Sequence, residues 1–309
     1  MAVDLSPIDE SLLETISGLH GTPKGAFNIR RNGKLVERHS SANIEISTKT
    51  DEPGIDIHIA PGTKGETVYI PVIVTKADIK DVVYNTFYVG DDCDVNIVAG
   101  CGIHNNCHEQ SQHDGIHSFY IGKNSRVKYV EAHYGEGPDG GVRILNPVTK
   151  VFMEENSYCE MELSQLRGVN STVRDTEAEL AAGAKLLLTE KLMTHDDQTA
   201  NSDMRFVLNG EDSSVQVVSR SVAKGTSSQV FSPLVIGKAK CRGHVQCDAI
   251  LMGDAKVKSI PGIEADSPDA MLMHEAAIGK IAGDQLIKLQ TLGLTEKEAE
   301  DEILDDFLS

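Results

Sequence analysis

Thiols, imidazoles and carboxylates gather in two places along this 309-residue chain. The first is CGIHNNCHEQSQHDGIH, which crowds Cys101, His104, Cys107, His108, His113 and His117 into one short stretch. The second is CDAILMGDAKVKSIPGIEADSPDAMLMHE, which sets Cys247, His274 and Glu275 around one corner marked by glycine and proline. Thiolate and imidazole together suit zinc, iron and iron–sulfur centres, and a carboxylate adds a harder ligand. The gap between Cys101 and Cys107 is wider than the roughly two to four residues of common zinc sites. For Cys101 and Cys247 a buried structural thiol competes with ligation, and for His104, His108 and His113 a solvated loop does so equally.

Both leading cysteines sit on alternating patterns. From Ala239 to Leu251 the odd positions are small or apolar, and the even positions from Lys240 to Asp248 are polar. That period of two predicts a half-buried strand with Cys241 and Cys247 on one face, about 20 Å apart at ~3.3 Å per residue, too far to share one ion. Cys93, Val95, Ile97, Ala99 and Cys101 alternate with Asp92, Asp94 and Asn96, so Cys101 ends the inward face of another strand. Ser267, Pro268 and Asp269 read as an N-cap, a proline at the first helical position and an acid matched to the helix dipole. A helix is expected from there, with His274 and Glu275 about 100° apart upon it, so that one ion would need a kink or a second subunit to reach both.

Elsewhere the elements are plainer. Ser6, Pro7 and Asp9 open a short helix that turns Ile8, Leu12, Leu13 and Ile16 to one side. From Gly25 to about Gly253 short alternating segments are broken by turn signals such as Asn32-Gly33, Pro61-Gly62 and Asn209-Gly210. This suits rungs of a β-helix or a long sandwich, and the periodicity leaves both open. Residues 175–192 favour helix by propensity although their neighbours read as strands. After Ser267 the pattern reads as helical, and Thr295 with Glu298 forms a capping box for a last helix with Ala299, Ile303, Leu304 and Phe307 as its apolar stripe. The chain thus divides into an N-terminal helical cap (1–24), a β core (25–262) and a C-terminal helical segment (263–309).

Composition excludes several classes. A net charge of -18 opposes nucleic acid, and the absence of Trp removes a common stacking surface. No apolar run reaches the length of about 18 residues that a membrane helix needs, and MAVDLSPIDE lacks the features of a signal peptide, so a soluble cytoplasmic protein is expected. Six cysteines in a chain of this size read as thiols rather than a disulfide framework. No GxxxxGK[ST] phosphate loop occurs, and Gly135-x-Gly137-x-x-Gly140 lacks the following helix of a dinucleotide site and reads as a loop. Asn170-Ser171-Thr172 matches a glycosylation sequon that has no meaning in such a compartment.

QCDAILMGD, IPGIEA, HEAAIGKI and DQL, in that order between Gln246 and Leu286 and followed by TLGLTEKEAE, resemble the SufB/SufD family of iron–sulfur cluster assembly scaffolds, the SufB branch more closely. The resemblance implies a mainly β fold, a right-handed parallel β-helix core with a short N-terminal helix and a C-terminal helical subdomain. It implies that the chain is a scaffold and not an enzyme, holding a transient iron–sulfur cluster at a subunit interface. It carries a ligand role to Cys247 and Glu275, places His274 where the SufD branch has a key histidine, and sets Cys101 of AGCGIHN like the cysteine of a GC-containing turn in SufB. Of the histidines after Cys101, only His117 of DGIHSF fits the family pattern. The partners implied are a SufC-type ABC ATPase contacted through the C-terminal helices, a second copy or a SufD-like subunit, and recipient apoproteins; the compact length favours a homodimer. Two other readings stand beside this one. A zinc or iron metalloenzyme using residues 101–117 would keep its metal and hydrolytic turnover after Cys247→Ser. A purely structural β-helical adaptor would keep full function after every cysteine is replaced.

Overall fold

The structure, a computed structural model, describes residues 5–137 and 140–308. Helix α1 (Pro7–Ser17) opens the chain through a capping box in which Asp9 N donates to Ser6 Oγ and Ser6 N donates to Asp9. Two antiparallel hairpins follow, β1 (Ala26–Arg31) with β2 (Lys34–His39), and β3 (Ile44–Thr48) with β4 (Gly54–Ile59). Thereafter the chain winds as a β-solenoid of about 8 turns, its strands entering two sheets by turns. One sheet receives β5 (Lys64–Val74), β7 (Asp94–His104), β9 (Arg126–Glu136), β12 (Tyr158–Arg167), β14 (Lys185–Thr194), β16 (Ser214–Ala223), β18 (Arg242–Leu251) and finally β21 (Met271–Gly279). The other receives β6 (Lys80–Val89), β8 (Gln110–Ile121), β10 (Val142–Leu145), β11 (Val148–Met153), β13 (Ser171–Leu180), β15 (Thr199–Leu208), β17 (Ser228–Gly237), β19 (Lys256–Ser259) and β20 (Gly262–Ala265).

Alternation is what makes the solenoid. Every second residue of each strand points inward, and parallel pairing stacks like positions in rows. One such row, Ile97, Tyr129, Met161, Leu188, Val217 and Val245, is buried throughout and forms part of the apolar core. The corners close through Asp92, Asn124, Asn156, Asp196 and Asp212 at positive φ, a conformation these side chains tolerate better than other non-glycine residues. Asn124 Nδ2 donates to Asp92 Oδ1 at 3.1 Å, tying one corner to the next. Residues 175–192, which propensity draws toward helix, are strands β13 and β14, because a parallel partner on either side completes their ladders and burial overrides local preference.

The helix expected from Ser267 is not formed. Asp269 N still donates to Ser267 Oγ at 3.3 Å, so the cap signal is spent on a turn, and the chain makes one further rung, β21, paired with β18 from Arg242–Met271 to Ile250–Gly279. Helix begins only at α2 (Gly283–Thr291) and α3 (Glu296–Leu308). The Thr295–Glu298 capping box is present, and the stripe of α3 docks on the chain's own core, with Ala299, Leu304 and Leu308 buried. Gly135 lies in β9 and Val142–Leu145 is strand, so no helix follows that glycine motif; residues 138 and 139 within it, like residues 1–4 of the N-terminal cap, lie outside the described residues. Among the described residues no helix is long and apolar enough to cross a membrane.

Candidate functional site

Cys247 lies on an inward row that runs Ile70, Ala99, Glu131, Leu163, Glu190, Ser219, Cys247 and Ala276 from strand to strand. Its thiol is buried, and burial pushes its pKa up; the Ser259 hydroxyl beside it pulls the other way, while Glu190 and Asp248 add to the rise. His274 pairs in register with Val245 and so shares the inward face with Cys247. Its Nε2 is buried without a hydrogen-bond partner among the described residues, and burial, with His244 nearby, lowers its pKa. The ring is therefore neutral near pH 7 with a nitrogen free to coordinate. Glu275 pairs with Gln246, faces outward, and lies 3.8 Å from His244 Nε2. Because β21 is a strand, consecutive side chains point to opposite faces, so His274 and Glu275 diverge more than they would on a helix. β21 is also the last strand of its sheet, and its free edge carries Met271 and Met273, 66% and 50% exposed.

Cys101 sits far away, five strands from Cys247 or about 24 Å at ~4.8 Å per strand. It is fully buried, and burial first, then Asp81, Glu131 and Asp114, raise its pKa well above the ordinary thiol value. With His113, His117, Glu131 and His133 it lines a cavity of about 10 Å³, space for about one water. His113 Nδ1 lies 3.2 Å from Asp81 Oδ2, and Asp81 is held in turn by Arg30 at 3.0 Å. His117 Nδ1 is buried without a hydrogen-bond partner among the described residues, and its Nε2 is 4.0 Å from Glu131. His104 turns to Glu136 at 3.0 Å, and Cys107 and His108 are exposed. The crowded stretch is thus spread over two strands and a loop, and among the described residues no group of three His, Cys, Asp or Glu side chains is spaced to hold a metal ion.

Between the two cysteines runs a buried polar seam that the sequence reading missed. Arg174 Nη1 is 3.2 Å from Glu131, and Arg174 Nε is 3.4 Å from Glu190. Glu190 accepts from Ser202 at 2.7 Å and from Ser219 at 3.0 Å, and Ser219 is the register neighbour of Cys247. Burial alone would raise the pKa of Glu131, but His133, Arg174 and His117 together hold it at about 2. Burial drives His133 down to about 3 against the pull of Glu131, so His133 is neutral near pH 7 and the permanent charge opposing Glu131 is Arg174. The seam was detectable in principle: Glu131, Arg174 and Glu190 occupy inward positions of alternating strands, where a charge needs a buried partner.

Residues 75–307 match the family model described as "SUF system FeS cluster assembly, SufBD core domain". The chain is 25% identical over 276 residues to an "Iron-sulfur cluster assembly SufBD family protein" of Archaeoglobus fulgidus, covering 89% of this chain and 73% of that one. It is 26% identical over 308 residues to a protein of the same description from Methanocaldococcus jannaschii, covering 94% and 96%. A chloroplastic SufBD family protein of Arabidopsis thaliana is 25% identical over 195 residues, 60% of this chain and 35% of its own.

Proposed function

We propose, since this chain belongs to the SufBD family of SUF-system iron–sulfur cluster assembly proteins, that it is the scaffold on which a nascent cluster is held before transfer to an apoprotein. The observation that carries this reading is that Cys247 and the unpartnered His274 lie on one inward face of the last two strands of their sheet, β18 and β21. The cluster is cargo here. Cys247 would release its proton on ligating iron, so its raised pKa makes loading proton-linked. Neutral His274 would supply a nitrogen, which holds a soft cluster less firmly than a thiolate would and so favours release. Glu275 lies outside this face and would act on cargo shared with a second chain. That chain would dock at the free edge of β21, where backbone groups are unpaired and apolar side chains exposed. We assign the dimer partner as a second copy and the site of action as the cytoplasm, where the six free cysteines stay reduced. A SufC-type ATPase would engage the C-terminal helices at α2, where Ile287 and the C-cap residue Leu292 face solvent.

The test is anaerobic reconstitution with ferrous iron and sulfide, reading visible absorption, iron and labile sulfide. Cys247→Ser and His274→Ala should lose the sulfide-to-iron absorption. Cys159→Ser, a thiol buried in the apolar core, should keep it. A wild-type protein that stays colourless, or a Cys247→Ser variant that loads fully, overturns the assignment.

A further inference from the structure

Behind Cys247 and His274, on the outer face of the same two strands, three electron-pair donors sit side by side. His244 and Gln246 are alternate residues of β18, and Glu275 is the register neighbour of Gln246 on β21. Strand geometry sets Glu275 ~4.8 Å from Gln246 and roughly 7–8 Å from His244 on the diagonal, within reach of side chains of this length. His244 Nε2 is buried without a hydrogen-bond partner among the described residues, and Glu275 Oε2 stands 3.8 Å from it, too far for a hydrogen bond. The Glu275 carboxylate meets no lysine or arginine among the described residues. Gln246 is held in one orientation: its Nε2 donates to Asp248 Oδ2 at 2.6 Å, which leaves its carbonyl oxygen as the free end. A groove of about 930 Å³ lined by His244, Met271 and Met273 opens beside them.

We infer that His244, Gln246 and Glu275 form a docking site for a divalent cation, ferrous iron, separate from the inward Cys247 and His274. An imidazole with its proton on Nδ1, an amide oxygen and a carboxylate are all acceptors, and acceptors gathered in one place repel one another unless a cation lies between them. Two metal bonds of about 2.1 Å span the 3.8 Å between His244 and Glu275. One nitrogen and two oxygens without a thiolate suit ferrous iron or manganese, and three protein ligands leave positions open to water. Asp248 supplies the outer hydrogen bond that fixes the amide, as ligand-orienting partners do in metal sites. The net charge of -18 raises the concentration of cations around the chain. That the ion is iron rests on the assembly role proposed above: an oxygen-rich, hydrated site holds iron more loosely than thiolates do, as a loading site must.

The test uses the full chain carrying Cys247→Ser with His274→Ala, so that the inward ligands are gone. It is titrated anaerobically with ferrous iron in equilibrium dialysis, and with Mn²⁺ read by electron paramagnetic resonance. One ion per chain is expected, with the two metals competing. Adding His244→Ala should weaken both about tenfold, and so should Glu275→Gln, a change at a side chain 57% exposed that serves as the second arm should the histidine variant fail to fold. Gln246→Leu alters no charge, so a similar loss there separates coordination from attraction to the carboxylate alone. No saturable binding at millimolar metal, or binding that Gln246→Leu and Glu275→Gln leave unchanged, overturns the inference. The outcome is separable from that of the scaffold. A wild type that stays colourless with iron and sulfide, beside a double variant that binds ferrous iron, sinks the scaffold and keeps this site; colour in the wild type with no ferrous iron on the double variant sinks this site alone.

Discussion

Arg174 and Glu131 face each other 3.2 Å apart inside the solenoid, and the same guanidinium reaches Glu190 at 3.4 Å on its other side. One buried cation therefore compensates two buried anions. One of those anions acts on the environment of Cys101 and the other on that of Cys247.

Removing the cation alone should be costly. Arg174→Met leaves Glu131 and Glu190 buried without their counter-charge, and a loss of about 3–5 kcal/mol is expected from urea denaturation. Adding Glu131→Gln and Glu190→Gln to Arg174→Met should recover most of it, because the uncompensated charges then disappear. A loss under about 1 kcal/mol for Arg174→Met would mean that water or another group already serves the seam.

Acid should destabilise the protein in two phases. His133 titrates near 6.5 when unfolded and about 3 when folded, so the unfolded chain binds the proton first; its contribution is complete above 6.5 and is lost as pH falls toward 3. His117, also lowered by burial, adds in the same direction. Glu131, held at about 2 against an ordinary 4.5, gives a second loss between those values. Each group contributes a slope of up to about 1.4 kcal/mol per pH unit. Urea midpoints from pH 7 to pH 5 should fall less steeply for His133→Gln than for wild type; parallel curves would remove His133 from the account.

The free edge of β21 should hold two copies together. Met271→Lys with Met273→Lys places charges beside that edge, and sedimentation velocity should shift from dimer to monomer while circular dichroism stays unchanged. A wild type that sediments as a monomer at tens of micromolar would move the interface elsewhere.

Gly100 is where α1 meets the solenoid. A Cβ there would lie 2.7 Å from Ala132 O and 2.8 Å from Ile16 O, both backbone atoms that cannot swing aside. Gly100→Val should cost about 1–3 kcal/mol and loosen α1, whereas Gly279→Ala, with nothing within 4 Å, should be near neutral. Equal effects at the two positions would show that α1 is not seated as described.

Local chemistry was enough for much of this protein. The period of two from Cys93 to Cys101 and from Ala239 to Leu251 decides that both cysteines face inward, because a strand alternates whatever it packs against. Ser6 with Asp9, and Thr295 with Glu298, decide where helices start, because a cap is satisfied within four residues. The run from Gln246 to Leu286 carried the family. Pairing decided the rest. Ser267-Pro268-Asp269 and the propensities of 175–192 favour helix in isolation, and only a neighbouring rung that offers a full ladder of hydrogen bonds turns β21, β13 and β14 into strands. That decision sends His274 inward toward the face of Cys247 and Glu275 outward, and it leaves Cys101 five strands away. The seam of Glu131, Arg174 and Glu190 belongs to the same class: its members are up to 59 positions apart in sequence, and stacking alone brings their charges together.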